Sequence, residues 1–248
     1  FNMNIQVTKR DGSKEYFNAD RINKSIERAC FGLENPISMV VQIATETRLM
    51  FYDGITTEEL DYATINAALQ NIQEDPRYDK VATRLLLKTV YKRMFGNYSN
   101  DKYILEEKYK KFFTDYIKNG VTNKFLDERM VKNFDLEKLS ESIDINRDEL
   151  FKYAGLSTLF DRYAMKDKYQ KPIEAPQYFF MRVAMGLSYN EADPTEWAIK
   201  FYDKMSNLEY IAGGSTNIGA GTTIPALSNC FLLEIQDDID NIAKSVSD

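Results

Sequence analysis

The 248 residues carry a net charge of −6, with 44% hydrophobic and 28% charged residues, a composition that supports one large globular domain or two smaller ones. The acidic balance argues against a general nucleic-acid coat, no apolar run approaches the ~18 residues of a membrane span, and the start lacks a signal-peptide core. There is no histidine, which removes Ser-His-Asp and Cys-His nucleophile systems and most imidazole zinc sites.

A cytoplasmic location is therefore expected, without membrane or nucleic acid as partner. In chain order, "IQVTKR" and "KEYF" alternate around Asp11-Gly12, a strong hairpin signal. A helix follows, with Asn18 as N-cap and Ile22, Ile26, Ala29, Cys30 and Leu33 on one face. A second helix is expected from Ser38 to Phe51. A third opens at "TTEELDYA", where Thr56 and Glu59 have capping-box spacing. The fourth, "YDKVATRLLLKTVYKRMFGN", places Val81, Leu85, Thr89 and Lys92 on one side and stops at Gly96-Asn97.

Beyond Ser99 the chain is rich in tyrosine, lysine and phenylalanine. Helical periodicity recurs in "DKYILEEKYKKFFTDYIKNG" and "DELFKYAGLSTLFDRYAM". "APQYFFMRVAMGL" and "PTEWAIKFYDKM" read as helices with proline near their starts. "GGSTNIGAGTTIPA" is too rich in glycine and threonine for regular structure. "LSNCFLLEI" reads as a buried strand, and "DDIDNIAKSV" as a helix with acidic residues in its first turn. The fold class is thus mainly α, of α+β type. A single strand cannot form a sheet, so its partners lie in the helical region or on another polypeptide.

Chemistry concentrates in three places. Lys9 and Arg10 near the hairpin turn, with Arg21 and Lys92 on helices, can converge on an anion. Free amides at the helix start by Asn18 favour phosphate there, while Glu15 and Asn18 offer hydrogen bonds to a ribose or base. The alternative is a set of solvated surface cations, and no Walker loop or dinucleotide fingerprint decides between them. Cys30 and Cys230 fit neither a metal-ligand spacing nor a disulfide scaffold. The loop before Cys230 offers backbone amides and hydroxyls suited to phosphate.

"VTKRDGSKEYFNADRINKSI", "DGITTEEL" and "YDKVATRLLLKTVYKRMFG" together resemble the ATP-cone, an allosteric nucleotide-binding module. "DELFKYAGLSTLFDRY" and "EAPQYFFMRVAMGL" resemble the helical region that follows it in class I ribonucleotide reductase large subunits. "STNIGAGTTIPALSNCFLLEIQDDIDNI" resembles the start of their ten-stranded α/β barrel. The resemblance implies a cone over 1–97 (a small β-hairpin plus about four helices), a helical region over 98–212, and the first strand and helix of the barrel over 213–248. By that resemblance Lys9, Arg10, Arg21 and Lys92 hold the triphosphate of ATP or dATP, with Mg2+. Val7, Glu15, Phe17, Asn18, Ile22 and Thr57 hold base and ribose. The family often has histidine near Asp61, which this chain lacks.

The resemblance also makes Cys230 the first cysteine of the redox pair that reduces the ribose 2′-carbon, with a buried structural cysteine as the alternative. Thr216 and Asn229 become substrate contacts, although the family usually reads Pro-Thr-Leu around the first and serine at the second. Asp237, Asp238 and Ile239 match the specificity-effector site, where ordinary helix capping is the alternative. Cys30 has no family role. The radical-bearing cysteine and the remaining redox cysteines are not in these residues, and the chain supplies no metal ligands. The implied partners are a C-terminal portion of the large subunit, a small subunit carrying the radical cofactor, a second copy of the chain, and thioredoxin or glutaredoxin as reductant. The chain then reads as a cloned fragment, a truncation or one product of a split gene. A non-catalytic ATP/dATP sensor and a class II, cobalamin-dependent subunit are the alternatives.

Overall fold

A computed structural model of the chain describes residues 5–96, 101–230 and 232–247. Strands β1 (Gln6–Thr8) and β2 (Lys14–Tyr16) pair antiparallel, Val7 opposite Glu15. Gly12 adopts φ 81° and donates its N–H to Lys9 O, a turn conformation that favours glycine. The hairpin is anchored by Thr8 N–H to Ile55 O and by Gly54 N–H to Gln6 O, both 2.9 Å. Val7, Ile55 and Leu60 form a small core beneath it.

Four helices follow: α1 (Ala19–Cys30), α2 (Pro36–Arg48), α3 (Thr57–Gln70) and α4 (Arg77–Phe95). Asn18 caps α1 by accepting the N–H groups of Asp20 and Arg21. Thr56 and Glu59 form the expected capping box. The second helix starts and ends earlier than its sequence suggests, because Asn35 takes a left-handed φ of 52° ahead of Pro36. Gly96, at φ 65°, ends α4; Asn97, its expected companion, lies outside the described residues. Ile26, Ile43, Ile65 and Val81 pack inside this unit, each worth about 1.5–3 kcal/mol of buried side chain. Cys30 belongs to this core, and burial pushes its thiol up to about 11 against the pull of nearby Arg84.

The second unit is built on α5 (Lys102–Thr122), the short α6 (Arg129–Lys132) and α7 (Leu136–Glu141), and the pair α9 (Pro176–Leu187) and α10 (Pro194–Ser206). Every residue of α9 from Pro176 to Gly186 is buried, which its nearly all-round apolar sequence requires. Between α7 and α9, "DELFKYAGLSTLFDRYAM" is a broken helix. A 3-10 turn (Ile145–Leu150), α8 (Tyr153–Thr158) and a π turn (Leu159–Tyr163) replace one continuous run. The break at Phe151 lets Tyr153 donate its N–H to Asp79 on α4 and directs Asp148 inward.

Asp148 is fully buried. It accepts hydrogen bonds from Tyr91 of α4, Tyr109 of α5 and Gln177 of α9, so one carboxyl ties the two units together. Burial pushes it up to about 7, against the hydrogen bonds that favour the charged form. Ion pairs from Lys80 and Arg84 to Glu149, and from Lys171 to Glu58, reinforce the same interface, and Arg93 pairs with Glu58 from within the first unit.

The glycine-rich segment departs from expectation, since residues Gly214–Gly219 form a short helix, α11. Its free carbonyls are satisfied from outside: Arg182 donates to Asn217 O, Ile218 O and Ala220 O. The expected strand "LSNCFLLEI" is a correction. Its described residues form no strand and are exposed, Leu232 at 95%. A strand needs partners for its backbone groups, and among the described residues none is placed beside it. The last expected helix is present as α12 (Ile239–Ser247), so the described residues contain a helix but no strand of a barrel. No described helix is long and apolar enough to cross a membrane.

Candidate functional site

The hairpin and helices α1, α3 and α4 bring the predicted cations together. Glu15 on β2 holds both Lys9 Nζ at 2.7 Å and Arg21 Nη1 at 2.8 Å. Lys9, first of these partners, draws the Glu15 carboxyl below its usual range. Opposite them, Asp61 on α3 faces Lys88 at 3.2 Å and Lys92 at 3.8 Å, both on α4. Lys92 is lowered from the ordinary lysine range, first by burial and then by Lys88, Arg10 and Arg21, which together outweigh Asp61. Arg10 and Arg21 are therefore within electrostatic reach of Lys92.

Four cations, Lys9, Arg21, Lys88 and Lys92, thus share two carboxylates, Glu15 and Asp61, while Arg10 acts on both Lys92 and Glu58, a carboxylate that Arg93 and Lys171 already hold. The surplus is positive, and the N-terminus of α1 adds its own partial positive charge beside Arg21. Lys88 and Lys92 also border a cleft of about 620 Å³ that Arg28, Arg84 and Lys102 line. Sequence reasoning missed Lys88, although it lies one helical turn before Lys92, the spacing that puts two side chains on one face.

The other residues expected to line a nucleotide pocket divide by exposure. Asn18 is exposed, Phe17, Ile22 and Thr57 are half-buried, and Val7 is buried in the small core. Phe17 packs edge-on against Phe51 with ring centres 4.6 Å apart.

A second cluster lies at the far end. Asn229 Oδ1 accepts the Ser215 N–H at 2.8 Å, and Thr216 Oγ1 donates to Leu227 O at 2.9 Å. Asn229 and the segment before it therefore lie against the start of α11, which carries Thr216, and Cys230, next in the chain, is an exposed free thiol. Asp238 accepts the Asn241 N–H at 2.9 Å and so caps α12, while Asp237 and Ile239 are exposed. No group of carboxylates and cysteines suited to a metal ion occurs among the described residues.

Residues 5–93 match the ATP cone domain, and residues 149–225 match the all-alpha domain of ribonucleotide reductase. The chain thus carries a match to an ATP cone and a match to the all-alpha domain of ribonucleotide reductase. It is 36% identical over 98% of its length to the ribonucleoside-diphosphate reductase subunit alpha of Chlamydia muridarum, covering 23% of that protein. The Helicobacter pylori (strain 26695) subunit alpha is 35% identical over 97% of the chain, with 29% of its own length covered. Subunit alpha of reductase 1 from Escherichia coli is 28% identical over 97% of the chain, with 31% covered. The chain spans about a quarter of the length of the curated relatives it matches. The cation cluster lies within the cone match, and Thr216 within the all-alpha match.

Proposed function

We propose that the chain is the N-terminal portion of a class I ribonucleoside-diphosphate reductase large subunit whose cone senses ATP against dATP. The observation that carries this is the surplus of positive charge where the hairpin, α1 and α4 meet, inside the segment that matches the ATP cone. Lys9, Arg10, Arg21 and Lys92 take the triphosphate with its Mg2+, and Lys88 joins them. Glu15 and Asn18 offer polar contacts to the sugar and base, next to Phe17, Ile22, Thr57 and the backbone of Val7. A few kcal/mol of differential nucleotide binding between two assembly states is enough to switch activity.

In the same reading, Thr216 and Asn229 hold the substrate diphosphate and Cys230 supplies one of two thiols. The pair becomes a disulfide as the ribose 2′-hydroxyl leaves as water, so two electrons pass from sulfur to carbon. The exposure of Cys230 suits this task; the buried Cys30 does not. Asp237, Asp238 and Ile239 receive the specificity effector, with Asp238 also serving as helix cap. Residues 1–97, 98–212 and 213–248 are the cone, the helical region and the start of the barrel. Turnover requires the rest of the large subunit, a radical-bearing small subunit and a thioredoxin or glutaredoxin. In the assembled cytoplasmic enzyme, Lys9→Ala with Arg10→Ala should abolish dATP inhibition while leaving turnover. Inhibition at unchanged dATP concentration would refute the cone assignment.

A further inference from the structure

Arg182 is among the largest fully buried side chains of the molecule, in the middle of the apolar sequence "FFMRVAMG". Burying a guanidinium there is costly unless every donor finds an acceptor. Every donor does. Nε donates to Glu174 Oε1 at 2.5 Å, and Nη2 donates to Glu174 Oε2 at 3.2 Å and Asn217 O at 3.1 Å. Nη1 donates to Ala220 O at 2.7 Å, with Ile218 O at 3.5 Å. Glu174, equally buried, also accepts from the Tyr116 hydroxyl and from Met165 N–H at 2.9 Å.

Three of these acceptors are carbonyls at the end of α11, the short helix that presents Thr216. The approach is close on every side. A Cβ on Gly221 would come within 2.9 Å of Arg182 Cγ, and one on Gly186 within 2.2 Å of Gly221 N. Hydrophobic packing does not need a charge at this position, whereas the carbonyls at the end of a short helix need donors from outside it. Resting on the substrate-site reading above, we infer that Arg182, locked by Glu174 and Tyr116, is a positioning residue that holds α11 and Thr216 in register for the substrate diphosphate.

The test is steady-state CDP reduction by the complete reductase carrying Arg182→Lys, Tyr116→Phe or Thr216→Ala. Lysine keeps the charge but lacks the fork that reaches Glu174 and three carbonyls together. A positioning role predicts a KM for CDP raised about tenfold by Arg182→Lys, equivalent to about 1.4 kcal/mol, with kcat within about twofold. Tyr116→Phe, which removes one hydrogen bond to Glu174, should raise KM about two- to threefold. A purely structural role lowers kcat through the folded fraction at unchanged KM, and that result overturns the inference. If Thr216→Ala raises KM and Arg182→Lys does not, the inference fails while the substrate site stands. If Thr216→Ala leaves KM unchanged, both fail. Should Arg182→Lys not fold, an unchanged KM in Tyr116→Phe overturns the inference.

Discussion

Replacing Lys92 by methionine keeps its stem and deletes its charge, and the structure sets the size of the effect. Lys88 still pairs with Asp61 Oδ1 at 3.2 Å in the variant, while Oδ2, which is buried and accepts no hydrogen bond, loses only the longer 3.8 Å ion pair, so the fold should persist. Against a bound phosphate, two unit charges ~4 Å apart at an effective dielectric of ~20 interact by about 4 kcal/mol. Release of Lys92 from Asp61 and its partial exposure offset roughly half of that, leaving about 2 kcal/mol, or about 30-fold in dATP affinity. Calorimetry on the chain reads this directly. Lys92 starts below the ordinary lysine range, through burial first and then its cationic neighbours, and a bound triphosphate raises it. Binding therefore takes up protons, and affinity falls as pH rises through the free-state value of Lys92. Lys92→Met should lose this component of the pH dependence. A change in affinity below about twofold, at any pH, would show that Lys92 does not face the phosphates.

Other expectations follow from the same geometry. Asp148 titrates at about 7 in the fold against 3.8 unfolded, so the folded state binds the extra proton between these values. Stability from this group is full below about pH 4 and falls by up to about 4 kcal/mol on reaching pH 7. Asp148→Asn should accordingly gain stability relative to the parent as pH rises across that window, measured by urea unfolding; a constant difference would contradict the burial of the charge. Iodoacetamide at about pH 8 should label Cys230 rapidly and leave Cys30 intact until unfolding, as peptide mass mapping would reveal. Gly186→Ala forces a methyl onto the backbone of Ala220 and Gly221 and should cost about 1–3 kcal/mol in the same unfolding assay.

Capping chemistry made the N-terminal unit legible from sequence. Asn18, the Thr56–Glu59 pair, Asp11-Gly12 and Gly96 each mark a boundary by a local mechanism, and the structure uses all of them. Non-local partners were hidden. Asp148 interrupts a helical period because three side chains from distant helices meet it. The helix Gly214–Gly219 exists because Arg182 satisfies its carbonyls, and neither partner is near in sequence. The one available signal was an arginine inside an otherwise apolar helix. "LSNCFLLEI" misled for the converse reason, since its apolar run reads as a strand but backbone pairing, not side-chain character, makes a sheet. Four of the five cations of the cluster were legible from the hairpin and helix pattern, the resemblance gave them a triphosphate to hold, and Lys88 was recoverable from its spacing to Lys92.

The central claim is that this chain binds an adenine nucleotide triphosphate through the surplus cations of its N-terminal unit. Equilibrium dialysis of the unmodified chain against labelled dATP tests it most directly. Saturable binding that ATP displaces, and that Lys9→Ala with Arg10→Ala removes, is the predicted result. Absence of saturable binding, or binding untouched by the double substitution, would contradict it.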